Sequence, residues 1–212
     1  MSRSRTAVEL LAAYALLLAL VWRVAERRSA LLGLALVFVV LAAWWRRGTT
    51  PSDLGLVPSQ WRSGWAGLAK VSLLGVAGLA IAGAVAGTAS LAAARFGWLS
   101  DYALGIVGQQ VLLQGFFAPG FAAVARPGRS RETIATGATA LAFAGLHAPN
   151  PGLVIGTAIA SAFWVTQFRR HHNLPAVLAS HLVLGTAAMA SFGPGPLWNL
   201  RVGAGALALL GR

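Results

Sequence analysis

The chain alternates long apolar runs with short breaks rich in arginine, proline or glycine, and this alternation limits the folds open to it. Hydrophobic residues make up 57% of the 212 residues and charged residues only 10%, whereas a soluble domain carries about 25% charged residues. So few charges cannot cover the surface of a water-soluble globule. Apolar runs of about 20 residues are typical of transmembrane helices. We therefore predict an all-α, polytopic helix bundle with seven to eight membrane spans.

Seven apolar runs are candidate spans, and a last stretch, 196–210, is a candidate eighth. The seven runs cover residues 7–22, 30–45, 68–94, 102–124, 134–146, 153–168 and 174–190. The polar stretch 48–64 separates an N-terminal part with two spans, 1–64, from a predicted membrane core, 65–212. In the third run, Gly83 and Gly87 form a GxxxG pattern, which lets a neighbouring helix approach closely. Pro149 and Pro151 predict a break after the fifth run, because the residue before a proline avoids the helical conformation.

The charge balance is strongly basic, with 17 Lys and Arg against 5 Asp and Glu. The basic residues lie between the apolar runs, as the positive-inside rule places them, and form no basic stripe of the kind that binds nucleic acid. More arginines fall on the side of the N-terminus than on the opposite side. We expect an integral protein of the bacterial inner (cytoplasmic) membrane, with its N-terminus inside, in contact with membrane lipid and not with nucleic acid.

A few polar side chains lie within the predicted spans, where they are energetically costly and often functional. They are Gln109, Gln110, Gln114, His147 and His181. Gln110 and Gln114 are four residues apart and therefore share one helix face. One interpretation is that these groups only hydrogen-bond neighbouring helices together. The alternative is a shared polar pocket.

The three glutamines resemble the first motif of a known family in order and spacing. That family is the CPBP family, also called the CAAX-protease or Abi family of intramembrane endopeptidases, and its first motif is Glu-Glu-x-x-x-Arg, usually followed by Gly. This chain carries Gln109, Gln110, Gln114 and Gly115 in the same register. The resemblance covers about residues 65–192.

Two further motifs of the same family follow along the chain. The second, Phe-x-x-x-His, is matched by Phe143 and His147, and the third, His-x-x-x-Asn or Asp, is matched by His181 only. Gly185 stands where the third motif has Asn or Asp, and we expect it to leave extra room there. The resemblance implies one set of catalytic positions and one set of binding positions. The catalytic positions are Gln109, Gln110, Gln114, His147 and His181, and the binding positions are Phe143, Asn150 and Gly185.

The departures from the first motif change its chemistry. Family members are thought to activate water with the first-motif glutamate, and a general base must accept a proton near the working pH. The amide of Gln109 cannot accept one. Gln114 lacks the fixed positive charge of Arg, which would be costly to bury once the carboxylates are gone. The resemblance therefore implies an intramembrane endopeptidase fold whose catalysis is impaired.

Metal chemistry offers no evident substitute for the missing carboxylate. The chain has no cysteine, and His147 and His181 supply two imidazoles, whereas catalytic zinc normally takes three protein ligands. We expect no metal and no other cofactor.

Three functions remain open from the sequence. The first is a catalytically impaired relative whose pocket binds a membrane-anchored peptide or protein. The second is an active intramembrane endopeptidase that cleaves membrane-anchored or lipid-linked peptides. The third is a small transporter or channel subunit with a polar site at mid-membrane. For either of the first two, we expect Gln109 or Gln110 to face one cavity together with His147 and His181, because polar groups in lipid need polar partners.

Overall fold

A computed structural model of the chain describes residues 2–23, 29–89, 99–192 and 197–210, and all regular structure within these ranges is helical. The predicted all-α class is confirmed. The α-helices are α1 (Arg3–Val21), α2 (Ser29–Arg47), α3 (Trp65–Val85), α4 (Leu99–Leu112), α5 (Ala118–Val124), α6 (Arg131–Gly145), α7 (Pro151–His171), α8 (Leu174–Phe192) and α9 (Gly203–Leu210). A π-helical turn, Leu113–Phe117, joins α4 to α5, and two short 3-10 helices cover Pro58–Gln60 and Trp198–Leu200.

Five of these helices, α1, α2, α3, α7 and α8, are long and apolar enough to cross a bilayer. The chain is therefore a polytopic membrane protein. The run at 102–124 is helical throughout but is divided by the π-turn, and α6 has 15 residues, so the count of seven to eight spans stays a prediction. Helix α9 has eight residues, a length of about 12 Å, which is short of the hydrocarbon core of about 30 Å.

The break between α6 and α7 is confirmed where the prolines predicted it. Pro151 is the first residue of α7, a position at which the missing N–H of proline costs nothing. The Asn150 side-chain oxygen accepts a hydrogen bond from the backbone N–H of Leu153 at 3.2 Å. Asn173 caps α8 in the same way, through the N–H of Ala176 at 2.9 Å. An N-cap of this kind stabilises a helix by about 1 kcal/mol.

The chain divides into two compact units. Unit 1 comprises Met1–Thr50, Leu112–Thr166 and Val202–Arg212, and unit 2 comprises Pro51–Val111 and Gln167–Arg201. The core of unit 1 lies between α1, α2 and the π-turn. Its buried residues are Leu10, Ala13, Leu36, Val40, Ala43, Phe116 and Phe117.

An ionic cluster joins the start of α1 to the end of α2 in unit 1. Glu9 lies 2.5 Å from an Arg46 nitrogen and 3.2 Å from an Arg47 nitrogen, and the side chains of Glu9 and Arg47 are only 8% and 10% exposed. Because water is largely excluded, the attraction between these charges is screened much less than on a surface. The cluster fixes α1 and α2 as an antiparallel pair.

Helices α3 and α8 of unit 2 pack through small residues. The Ser72 and Ser180 hydroxyls are 2.8 Å apart. A Cβ at Gly83 would lie 2.5 Å from the carbonyl oxygen of Ser191, so the close helix approach predicted for Gly83 is confirmed, with α8 as the neighbour. Gly87 instead follows the end of α3 with a φ of +66° and meets no atom within 4 Å, a conformation that glycine adopts without strain.

Candidate functional site

The glutamines of the first motif differ in how deeply they are buried. Gln109 and Gln110 lie on α4, and Gln114 lies in the π-turn. Gln110 is fully buried and Gln114 is 3% exposed, whereas Gln109 is half-buried. A buried amide in an apolar interior is costly unless it is hydrogen-bonded. The buried amides of Gln110 and Gln114 therefore need hydrogen-bond partners inside the protein.

Gln110 is hydrogen-bonded to the histidine of the third motif. Its side-chain nitrogen lies 2.9 Å from Nδ1 of His181, and both side chains are buried in unit 2. An amide nitrogen can only donate, so Nδ1 of His181 accepts, and Nε2 carries the proton in the neutral ring. This arrangement presents an N–H donor, and not a basic nitrogen, at the other edge of the His181 ring.

Tyr102 also lies beside His181. Its ring stands edge-on to the His181 ring, with centroids 6.4 Å apart and an interplanar angle of 88°. Its hydroxyl fills the space beside Gly185, because a Cβ built on Gly185 would overlap the Tyr102 oxygen and lie 2.8 Å from Cζ. The expectation that Gly185 leaves extra room is therefore wrong, since a phenol from α4 occupies that space.

The π-turn that carries Gln114 is held by two side chains from α2. The Trp44 indole N–H donates to the carbonyl of Gly115 at 2.8 Å, and Arg47 donates to the carbonyl of Phe116 at 3.2 Å. The Arg47 guanidinium also lies 5.2 Å from the centroid of the Phe116 ring, within the range of a cation–π contact. The irregular turn thus gains polar partners that an apolar environment would not supply.

His147 follows α6 in unit 1 and has a defined ring orientation. Its Nδ1 lies 2.8 Å from the carbonyl oxygen of Phe143, and the two rings are 4.8 Å apart. A carbonyl can only accept, so Nδ1 carries the proton and Nε2 of the neutral ring presents a lone pair. His147 and His181 therefore offer opposite groups, an acceptor and a donor.

Asn150 stands in the turn that follows His147. Its backbone N–H donates to the His147 carbonyl at 3.1 Å, and its side chain is fully buried while it caps α7. The contacts of Asn150 fix the path of the chain away from His147.

The structure brings two pairs of the predicted site residues together. Gln110 pairs with His181 in unit 2, and Phe143 pairs with His147 in unit 1. The other predicted residues divide between the units, with Gln114 and Asn150 in unit 1 and Gln109 and Gly185 in unit 2. The prediction of one shared cavity stays a prediction. Within the described ranges, no group of three or more His, Asp or Glu side chains comes together as a metal site.

Sequence reasoning missed Tyr102, Trp44 and Arg47. For Tyr102 a signal existed, because it precedes Gln109 by seven residues, or two helical turns, and therefore lies near the same face of α4. For Trp44 and Arg47 there was none, because their contacts depend on how α2 packs against the π-turn.

Comparison with known proteins agrees with the motif resemblance. Residues 92–187 match the family model described as type II CAAX prenyl endopeptidase Rce1-like. No curated protein and no solved structure matches the chain significantly. The matched segment contains the positions of all three motifs, and the resemblance to the CAAX-protease family is confirmed.

Proposed function

We propose that this Rce1-like membrane protein of the CAAX-protease type binds a membrane-anchored peptide or protein, and that it cleaves the bound chain poorly or not at all. The proposal starts from the match over residues 92–187. It adds to that match the chemistry of the first-motif side chains, in which amides stand where the family has ionisable groups.

The observation that carries the proposal is the Gln110–His181 hydrogen bond. An ionised glutamate in place of Gln110 could only accept a hydrogen bond, so it would require a proton on Nδ1 of His181 and leave Nε2 free to take a proton. The glutamine has the opposite effect, because it donates to Nδ1 and so leaves the proton of the neutral ring on Nε2. An amide also cannot accept a proton from water near neutral pH. The pair is suited to hydrogen-bonding a carbonyl and unsuited to generating hydroxide.

The loss of charge at Gln114 supports the same interpretation. Gln114 is 3% exposed, and a buried arginine without a carboxylate partner would be strongly destabilising. With amides at both ends, the side chains of the first motif are polar and uncharged. Such a region can bind the polar backbone of a peptide while its lipid anchor stays in the bilayer.

The test uses the full-length protein in lipid nanodiscs and a fluorescent farnesylated peptide that ends in Cys-aliphatic-aliphatic-X. A matched peptide without the farnesyl group shows whether a prenyl anchor is required. We expect saturable binding of at least one peptide, weakened by His147→Ala. Binding of neither peptide above the level of the His147→Ala variant would contradict the proposal.

A variant set separates binding from catalysis. We expect Gln109→Glu combined with Gln114→Arg to be the smallest change that can restore hydrolysis, because it returns the base and its cationic partner together. Because Gln110, and not Gln109, contacts His181, Gln110→Glu with Gln114→Arg is the matched comparison. Binding should survive in the Gln109→Glu double variant and weaken in the Gln110→Glu double variant, in which Nε2 of His181 no longer donates.

An active endopeptidase is the second candidate, and one observation favours it. The Nε2 of His147 presents a lone pair, because Nδ1 is occupied by the Phe143 carbonyl, so this imidazole retains a basic nitrogen. Hydrolysis by the unmodified protein that is abolished by His147→Ala would establish this candidate. A transporter or channel subunit is the third candidate, and no contact among the described residues favours it.

We also propose that the protein lies in a bacterial inner membrane with its N-terminus in the cytoplasm. The Glu9–Arg46 ion pair links the start of α1 to the end of α2. Asn173, which follows α7, donates to the carbonyls of Trp61 and Ser63 in the loop after α2, each at 2.7 Å. Within each unit, the linked segments lie on one side and carry arginines, and the positive-inside rule assigns an arginine-rich side to the cytoplasm. A reporter that fluoresces only in the cytoplasm, fused before α1, should be bright.

A further inference from the structure

We propose that Tyr102 is a peptide-contacting residue whose hydroxyl supplies the polar group that position 185 lacks. This inference rests on the proposed function, because it concerns the same site. It adds to that site a residue outside the three motifs and identifies its chemical contribution.

Tyr102 lies against both positions of the third motif, His181 and Gly185. Gly185 follows His181 by four residues on α8, so the two share a helix face. The phenol ring contacts His181 edge-on at 6.4 Å. Its oxygen occupies the volume in which a side chain at 185 would begin, and Cε1 lies 3.2 Å from the Cβ position. A tyrosine at 102 and a residue larger than glycine at 185 therefore exclude each other.

The Tyr102 hydroxyl takes the place of the polar side chain that Gly185 lacks. Asn or Asp at 185 would bring a polar group beside His181, and Tyr102 brings one from α4 to the same place. A hydroxyl both donates and accepts hydrogen bonds, so Tyr102 can donate to a peptide carbonyl while it keeps another contact. Nε2 of His181 supplies a second N–H donor, from the ring that Tyr102 meets edge-on.

The first experiment removes only the hydroxyl. The chain has two tyrosines, and the second, Tyr14, also directs its hydroxyl at a glycine, with the oxygen 2.5 Å from a Cβ built on Gly145. Tyr102→Phe should weaken binding of the farnesylated peptide about tenfold, as expected for one lost hydrogen bond. Tyr14→Phe, the matched control, should leave binding unchanged. The melting temperature of each variant tests whether it remains folded.

The second experiment moves the polar group to the other helix. Gly185→Asn alone should lower the melting temperature, because its side chain overlaps the phenol. Tyr102→Ala with Gly185→Asn should recover both stability and peptide binding. Tyr102→Ala with Gly185→Leu, a filler of nearly the same shape, should recover stability without binding. These two double variants differ only in whether a polar group lies beside His181, which is the contribution assigned to the Tyr102 hydroxyl in the unmodified protein.

Three results would overturn the inference. If Tyr102→Phe binds the peptide as well as the unmodified protein does, Tyr102 is only a packing residue. The same conclusion follows if the Asn and Leu double variants bind the peptide equally well. In both cases the proposed function survives, provided that His147→Ala still weakens binding. If the unmodified protein binds no better than His147→Ala, the proposed function fails and the role of Tyr102 fails with it.

Discussion

The Gln110 side-chain amide donates to Nδ1 of His181 across 2.9 Å, between α4 and α8 of unit 2. This bond joins the first motif to the third and sets the tautomer of the histidine. An ionised carboxylate in this place would accept a hydrogen bond from Nδ1, whereas the amide donates one to it. A single change of side-chain chemistry therefore decides whether Nε2 of His181 is a hydrogen-bond donor or an acceptor.

The tautomer of His181 can be measured directly. Gln110→Glu should move the proton of neutral His181 from Nε2 to Nδ1, because a carboxylate can only accept. Imidazole nitrogen shifts in protein labelled with ¹⁵N-histidine report the change, and His181→Gln identifies the signal. Gln109→Glu is the matched control, since the bond to His181 is made by Gln110. A His181 spectrum that is unaltered by Gln110→Glu would show that the bond is absent in the membrane.

The π-turn should depend on the indole of Trp44. Trp44→Phe removes the N–H that satisfies the Gly115 carbonyl and should lower the free energy of unfolding by about 1 kcal/mol. The neighbouring Trp45 is 85% exposed, so Trp45→Phe should have no measurable effect. Reversible unfolding in mixed detergent micelles compares the two variants. Equal stabilities would mean that the π-turn does not need this donor.

Glu9 should contribute more to the stability of the fold through buried Arg47 than through exposed Arg5. Glu9→Gln leaves Arg47, whose side chain is 10% exposed, without its counter-ion and should cost about 3 kcal/mol, as for other broken buried pairs. The Arg5 side chain is 62% exposed and lies 3.8 Å from the same carboxylate. Arg5→Gln should therefore cost less than about 1 kcal/mol. The same unfolding measurement distinguishes them, and similar losses would argue against burial as the cause.

Two glycines on α3 should respond oppositely to alanine. At Gly83 a Cβ would meet the Ser191 backbone, with the carbonyl carbon at 2.9 Å, so Gly83→Ala should separate α3 from α8 and lower the melting temperature. Gly78 has no atom within 4 Å of its Cβ position, and Gly78→Ala should be neutral or stabilising, by up to about 1 kcal/mol. A tolerated Gly83→Ala would mean that α3 and α8 lie further apart than described.

The sequence predicted the features that depend on local patterns. The apolar runs predicted α1, α2, α7 and α8 to within a few residues, because a helix in lipid must be apolar over its length. Pro149 and Pro151 marked the break after α6 for a similarly local reason.

Features set by contacts between helices could not be predicted in the same way. The π-turn shifts the hydrogen-bond ladder without altering the apolar pattern of 102–124. The partners of Glu9 depend on the antiparallel packing of α1 and α2. The space at Gly185 was misjudged because the phenol of Tyr102 comes from a separate helix, α4, 83 positions earlier in the chain.

We propose above all that the amides of the first motif abolish hydrolysis while the protein still binds the membrane-anchored peptide. The most direct test is hydrolysis of the fluorescent farnesylated peptide by the unmodified protein in nanodiscs, followed by mass spectrometry under conditions in which binding is saturated. We predict product formation no faster than with His147→Ala. Hydrolysis by the unmodified protein that is well above this background, and lost in His147→Ala, would contradict the claim and establish an active endopeptidase.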